Sequence, residues 1–190
     1  SHMLYHASNI SGLKTLQPHT STHQKPYVYA IENLTTCLLF GAKHDDFDFM
    51  ISSGENERPI LYECYPDSFK KVFEKKSCSV YEVSVDGFKN GMTSWDAELV
   101  NENEVSVINE IIVTDLYDKL REEELSGRLV VHRYQFSDEY RKQITEHIVD
   151  RIIRFDIDLN NITNQDIRFL TYYNGIIKCL RDIMDGHLLK

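Results

Sequence analysis

Three segments of the chain combine residue types that suit chemistry at a ribose. The first, Leu4–Ser8, places His6 near the end of a strand-like run that closes on small residues. The second, Tyr27–Glu32, has the pattern of a buried strand and precedes a helix that presents a further aromatic residue. The third, Trp95–Val100, holds Glu98 ahead of a valine-rich run. Together the segments supply an imidazole, aromatic rings, small residues and a carboxylate.

This set matches what cleavage of the N-glycosidic bond of NAD⁺ requires. The ribose carbon becomes an oxocarbenium ion as nicotinamide leaves, and a nearby carboxylate stabilises that charge. Aromatic faces hold the nicotinamide ring, a small residue leaves backbone groups accessible to the carboxamide, and a histidine can hydrogen-bond a ribose hydroxyl. Taken singly, a structural histidine, a core aromatic pair and a solvated glutamate are the plainer explanations, but the order of the segments favours the joint hypothesis.

The three segments resemble the diphtheria-toxin and poly(ADP-ribose) polymerase branch of ADP-ribosyltransferases, the His-Tyr-Glu class. That family carries His-Gly-Ser/Thr after a Tyr or Trp, and here Tyr5–Ser8 reads Tyr-His-Ala-Ser. Its Tyr-containing strand, which ends in Asp, is matched by Tyr29–Glu32, and its second aromatic residue, eleven positions after the Tyr, is matched by Phe40. Its catalytic Glu opens a run like that of Glu98–Val100. The resemblance spans residues 4–113 and extends towards Tyr134.

The resemblance gives NAD⁺-binding roles to five residues. His6 would bind a ribose hydroxyl, the backbone of Ala7 would hold the carboxamide, and Ser8 would support the site. Tyr29 and Phe40 would sandwich the nicotinamide ring. Ala7 replaces the usual Gly and adds a methyl group at the carboxamide, while Phe40 replaces the usual Tyr, which preserves stacking but removes a hydroxyl.

By the same resemblance, Glu98 is the catalytic residue, which would hydrogen-bond the nicotinamide ribose and stabilise the oxocarbenium ion. Glu102 and Glu104 are rival carboxylates that fit the strand context less well. Strand side chains alternate between two faces, so a strand over Trp95–Val100 predicts that Asp96 and Glu98 share a face. Asp96 is therefore a candidate for contacting the acceptor rather than NAD⁺, with a solvated strand-edge aspartate as the plainer alternative. NAD enters as a substrate, and no metal is expected.

The elements that must position these residues follow an α+β pattern, with many short strands and few helices between them. The resemblance implies an ADP-ribosyltransferase-like split, twisted β core over residues 4–135, with an NAD⁺ cleft between two small sheets. Alternation predicts a strand over Ser79–Val85, and the valine-rich run predicts another over Val105–Val113. A helix is predicted from Leu34 to Lys43.

The chain beyond residue 135 has a helical pattern. Ser137 is a predicted N-cap, and it precedes apolar residues on one helix face at Tyr140, Ile144, Ile148 and Ile152. A second helix is predicted from Thr163, which begins a capping-box-like sequence, to a closing Gly186. Residues 136–190 are therefore expected to form a C-terminal helical segment packed on the first domain, while residues 1–3 are expected to be a tag scar and the start.

Composition narrows the partners and the location. The net charge is −9, with 21 basic against 30 acidic residues, so nucleic acid is an unlikely main partner because phosphate binding needs clustered cations. No apolar run approaches the ~20 residues of a membrane span. The four cysteines contain no CxxC pair and fit neither a zinc site nor a disulfide framework. Buried reduced thiols and a cytoplasmic location are expected.

Three functions follow in order of preference. The first is transfer of ADP-ribose from NAD to an unidentified protein or small-molecule acceptor, or NAD⁺ hydrolysis at the same site. The alternative is a non-catalytic member of the same fold that binds a nucleotide or a protein. The third is RNA 2′-phosphate transfer on a related fold, and the excess of acidic over basic residues disfavours it.

Overall fold

The computed structural model describes residues 2–19, 25–93, 95–154, 156 and 158. Across these residues the chain is a mixed α/β protein with a twisted antiparallel sheet and four α-helices. The α+β class predicted from the sequence is therefore confirmed. The second predicted C-terminal helix, from Thr163 to Gly186, lies outside the described residues.

The strands in chain order are β1 (Met3–Ser8), β2 (Thr15–Leu16), β3 (Val28–Ile31), β4 (Phe49–Ser53), β5 (Pro59–Glu63), β6 (Cys78–Ser84), β7 (Lys89–Asn90), β8 (Glu98–Asn101), β9 (Val105–Ser106), β10 (Asn109–Val113) and β11 (Val130–His132). The helices are α1 (Leu34–Leu38), α2 (Ser68–Phe73), α3 (Leu116–Leu125) and α4 (Asp138–Arg154).

The chain divides into two compact units that interleave along the sequence. In their described parts, the first comprises Ser1–Lys43, Ser53–Pro59 and Phe73–Val130, and the second comprises His44–Ser52, Ile60–Val72 and the chain from Val131 onward. All the residues that the sequence singles out for chemistry belong to the first unit. The domain boundary at residue 135 stays a prediction.

The first unit is built on a six-stranded sheet with the order β10-β6-β1-β3-β8-β7. One face buries an apolar cluster that includes Leu4, Ala30 and Leu99. Leu16 and Val105, from the two-stranded sheet β2-β9, complete this cluster. Because alternate strand residues point to one face, each strand supplies every second side chain to the core and leaves the others to the opposite face.

Helix α1 is shorter than the predicted Leu34–Lys43. Its N-terminus is capped by Asn33, whose side chain accepts a hydrogen bond from the Thr36 amide at 2.8 Å. After Leu38 the bonding changes to three-residue turns, because the Phe40 amide donates to the Cys37 carbonyl at 2.9 Å. The helix therefore ends before Phe40, which lies in the turn that follows it.

The second unit carries a three-stranded sheet, β11-β5-β4, and the long helix α4. The predicted apolar face of α4 is confirmed: its residues Tyr140, Ile144, Ile148 and Ile152 are buried together with Cys64 and Tyr65. The Ser137 hydroxyl oxygen accepts a hydrogen bond from the Tyr140 amide at 3.2 Å, which confirms the predicted N-cap.

Three cysteines are free and buried, as the sequence predicts: Cys37, Cys64 and Cys78. Burial raises the pKa of each of these thiols above its usual range. Unreactive, core-filling thiols are the expected result. Cys179 lies outside the described residues.

Candidate functional site

His6 is tied to the backbone of Tyr29 on the neighbouring strand. Its Nδ1 donates a hydrogen bond to the Tyr29 carbonyl oxygen at 2.7 Å. A carbonyl can only accept, so the proton of the neutral ring lies on Nδ1 and the lone pair on Nε2. The ring is thus fixed in the tautomer whose second nitrogen, Nε2, is a hydrogen-bond acceptor.

The protonation state of His6 follows from its surroundings. Burial lowers its pKa, the hydrogen bond to Tyr29 raises it, and the nearby His19 lowers it again. The net pKa lies below the ordinary value of 6.5. His6 is therefore a neutral imidazole at pH 7.

A row of paired residues crosses the three strands that carry the sequence motifs. Tyr5 on β1 is opposite Ile31 on β3, and Ile31 is opposite Glu98 on β8. Paired residues of antiparallel strands share a face, so Glu98 is on the face of Tyr5 and Ile31. Tyr29 is on that face as well, two residues before Ile31.

His6 follows Tyr5, and alternation sends its side chain to the face of Leu4. The registered pairing of β1 with β3 consists of Tyr5 and Ile31 alone, and at the next residue of β1 the His6 ring reaches the Tyr29 carbonyl. The structure thus brings His6 to the backbone of Tyr29 where the registered pairing of β1 with β3 ends, while the side chain of Glu98 lies on the other face of the sheet.

Glu98 is the first residue of β8 and is partly buried. Its amide donates to the Trp95 carbonyl at 3.1 Å, which closes a turn just before the strand. Burial raises the pKa of its carboxyl group, and a hydrogen bond with the Thr93 side chain partly opposes that shift. A carboxylate with reduced solvation acts more strongly on a neighbouring positive charge.

The sequence prediction for Asp96 rests on a strand that does not form there. Because the turn from Trp95 to Glu98 occupies these positions, the predicted strand Trp95–Val100 begins only at Glu98. The alternation argument that placed Asp96 and Glu98 on one face is therefore wrong. Asp96 is instead an exposed turn residue that lines a cleft of ≈ 460 Å³.

The cleft beside this turn is acidic. Its lining includes the carboxylates of Glu32, Glu57 and Asp96 together with the ring of Trp95. Among the described residues that line it there is no lysine or arginine. A cationic or hydroxyl-bearing group suits this cleft better than an anion does.

Phe40 packs against Trp95, with ring centroids 5.3 Å apart and planes tilted by 48°. Phe40 remains 43% exposed. The ring contacts of Tyr29 include edge-on approaches to His19 at 5.8 Å and to Tyr27 at 5.9 Å. The predicted Tyr29–Phe40 sandwich stays a prediction.

Ala7 and Ser8 end β1, where they are opposite Val80 and Ser79 of β6. The Ser8 hydroxyl oxygen accepts a hydrogen bond from the Ile10 amide at 3.1 Å. Ser8 therefore shapes the chain as it leaves β1. This local role agrees with a residue that supports a site.

The two rival carboxylates differ from Glu98 in exposure. Glu102 and Glu104 are both exposed in the turn between β8 and β9, and Glu102 borders a separate small pocket. Glu98 is the only one of the three that is partly buried. Reduced solvation therefore favours Glu98 over the two exposed carboxylates as the residue that acts on a neighbouring positive charge.

Sequence reasoning did not single out the rings of Trp95 and His19 as site neighbours. Trp95 was visible as an aromatic residue three positions before the candidate carboxylate. His19 is in a polar, turn-rich stretch, and it approaches Tyr29 through an isolated bridge between His19 and Tyr27. No periodicity predicts such a bridge.

Comparison of this chain with protein-family models, with curated proteins and with solved structures found no match. Within the described residues, no helix has the length and apolar character needed to cross a bilayer. Across the same residues, no group of three or more His, Cys, Asp or Glu side chains is arranged to hold a metal ion.

Proposed function

We propose that this chain is an NAD-dependent ADP-ribosyltransferase of the His-Tyr-Glu class, built on the split β core of that fold. The observation that supports this most is the adjacency of the three motif-bearing segments. They are far apart in sequence, yet they form consecutive strands, β1, β3 and β8, of one sheet. This order brings the backbones of the three segments together, with the side chains of His6 and Glu98 on opposite faces of the sheet.

The proposed NAD⁺ site lies where the registered pairing of β1 with β3 ends, after the Tyr5–Ile31 pair. His6 lies on one face of the sheet there and Glu98 on the other, so NAD⁺ would have to lie across the ends of β1 and β3 to contact both. The backbone of Ala7 at the end of β1 would hold the carboxamide, with Ser8 supporting it.

His6 acts in this proposal as an acceptor. With Nδ1 donating to the Tyr29 carbonyl, a neutral ring presents Nε2 to a ribose hydroxyl. Tyr29, on the adjacent strand, and Phe40, beside Trp95, supply aromatic faces for the nicotinamide. A positively charged pyridinium ring gains from such faces.

Glu98 stabilises the charge that develops when the glycosidic bond breaks. The bond between C1′ of the ribose and the nicotinamide nitrogen breaks, and its electron pair leaves with nicotinamide, which becomes neutral. The positive charge moves to the ribose, where the carboxylate of Glu98 stabilises it. An acceptor nucleophile, or water in hydrolysis, then bonds to C1′ and releases its proton.

The acidic cleft is the proposed binding site for the acceptor. Asp96 lines the cleft and is exposed, which supports its proposed contact with a protein or small-molecule acceptor. The net negative charge of the whole chain disfavours nucleic acid as the acceptor. Three free buried thiols suit a reducing compartment, and a cytoplasmic location is part of the proposal.

A second candidate is a non-catalytic nucleotide- or protein-binding module of the same fold. It is favoured by the two departures at the proposed nicotinamide site, Ala7 and Phe40. The methyl group of Ala7 narrows the approach to the backbone, and Phe40 offers no hydroxyl.

Incubation with NAD⁺ labelled in the adenylate half, with and without a cell lysate, tests the proposal. Nicotinamide release with label on an acceptor demonstrates transfer, and release with free labelled ADP-ribose demonstrates hydrolysis. NAD⁺ binding without release supports the binding module. The exposed-site variant Glu104→Gln is the control that should leave any activity intact.

A further inference from the structure

The six residues that follow β1, residues 9–14, are held to the sheet by side chains from two other strands. Tyr81 is fully buried on β6, and its hydroxyl donates to the Ile10 carbonyl and accepts from the Leu13 amide at 3.3 Å. One phenolic oxygen therefore makes hydrogen bonds with two residues of this segment, which we call the 9–14 loop.

Glu110 on β10 holds the same loop between those two points. Its carboxylate accepts hydrogen bonds from the Gly12 amide, at 3.1 Å to Oε1 and 3.2 Å to Oε2. The buried hydroxyl of Ser79 donates to Oε2 at 2.6 Å. These bonds lower the pKa of Glu110, with that of Ser79 the largest contribution, so the carboxylate is ionised and the bonds are charge-assisted.

The anchoring residues are directly opposite the proposed NAD⁺-binding residues. Tyr81 pairs with His6 and Ser79 pairs with Ser8 across the β1-β6 ladder. Glu110 is in turn opposite Tyr81. Paired side chains share a face, so the anchors and the loop lie on the face of the sheet to which His6 points.

We propose that Tyr81 and Glu110 are positioning residues for the carboxamide-binding end of β1. They hold the 9–14 loop, and through it they fix the backbone of Ala7 and Ser8 in the geometry that receives the nicotinamide carboxamide. This inference rests on the proposed function, because it assigns a task to the same site. The ribose and adenylate parts of the ligand do not depend on these two residues.

Two conservative substitutions remove or weaken the anchoring bonds with little change in volume. Tyr81→Phe removes the hydroxyl that bonds Ile10 and Leu13, and Glu110→Gln removes the charge that bonds Gly12. Glu82→Gln is the matched control, because Glu82 is on β6 beside the anchors but is opposite Tyr5 and Asn109 and points to the other face.

Calorimetric titration with free nicotinamide and, separately, with ADP-ribose gives the decisive readout. Both anchor variants should bind nicotinamide about tenfold more weakly, an effect in the range expected when hydrogen bonds of a charged or buried group are lost, and should bind ADP-ribose within about twofold of wild type. Glu82→Gln should change neither affinity. Thermal melting identifies any variant that fails to fold, and the other anchor variant then decides.

Unchanged nicotinamide affinity in the folded variants, or an equal loss for both ligands, would overturn the inference. A wild-type chain that binds no nicotinamide would overturn it as well. Failure of the proposed function gives a different result: the wild type binds nicotinamide, the anchor variants weaken that binding alone, and no NAD⁺ is consumed.

Discussion

The Nδ1 atom of His6 lies 2.7 Å from the carbonyl oxygen of Tyr29, 23 positions away in the sequence. This contact joins two of the three segments that the sequence identifies by residue type. It also fixes the tautomer of a buried histidine whose pKa is lowered mainly by burial. The consequence is a neutral acceptor nitrogen at physiological pH, supplied by the fold rather than by a ligand.

Titration of His6 should make the free energy of unfolding depend on pH below neutrality. The folded-state pKa is lower than the unfolded value of 6.5, so the unfolded chain binds the proton more tightly. Stability should therefore fall as the pH drops through 6.5 towards the folded-state pKa. The variant His6→Gln should show a smaller fall in urea unfolding at pH 7.5, 6.5 and 5.5.

An equal slope for His6→Gln and the wild type would show that His6 does not carry the effect.

Replacement of Glu98 should stabilise the protein at neutral pH. Burial raises its folded-state pKa above 4.5, so ionisation opposes folding, and the wild type loses stability as the pH rises from 4.5 through the folded-state pKa. Glu98→Gln lacks this loss. Its advantage in urea unfolding should be greatest near pH 7 and should disappear below pH 4.5. A lower stability than wild type at pH 7 would argue against a desolvated carboxylate at this position.

Asp96→Asn should separate acceptor recognition from NAD⁺ chemistry. Asp96 borders the acidic cleft, while Glu98 begins the strand two residues later. Transfer to the acceptor should fall by about tenfold, as expected for one charged contact, while slow NAD⁺ hydrolysis stays nearly intact. Quantification of labelled acceptor and of free ADP-ribose measures both in one reaction. Loss of both activities together, or of neither, would show that Asp96 has no separate role.

Periodicity predicted the elements whose side chains face a core throughout their length. The alternation over Ser79–Val85 corresponds to β6, and the i, i+4 spacing from Tyr140 to Ile152 corresponds to the buried face of α4. Every second residue of β6, and every fourth residue along the apolar face of α4, points to the same side of its element. A local sequence pattern is therefore enough to predict these two elements.

The valine-rich run was mispredicted because the chain changes partner within it. The predicted strand Val105–Val113 is in fact β9, which pairs with β2, and β10, which pairs with β6. Between them, the Val107 amide bonds the Lys14 carbonyl and the Ile108 amide bonds the Glu82 carbonyl. A run rich in valine and isoleucine continues across such a change, because β propensity does not report the identity of the partner strand.

The candidate site was predictable in its residue types but not in its geometry. Motif order indicated His6, Tyr29 and Glu98, whereas the bond from His6 to a backbone carbonyl depends on where β1 and β3 separate. The anchoring of the 9–14 loop by Tyr81 and Glu110 depends likewise on strand register. Register between distant strands is set by tertiary packing, which a single sequence does not display.

Turnover of Glu98→Gln at saturating NAD⁺, compared with wild type and with Glu104→Gln, tests the central claim most directly. Loss of a positioned charge at a developing cation should lower nicotinamide release by about 10²-fold or more. The dissociation constant for NAD⁺ should stay within about threefold, because glutamine keeps the size and hydrogen bonding of glutamate. Glu104→Gln should release nicotinamide at the wild-type rate. Equal turnover in Glu98→Gln and wild type would contradict the account.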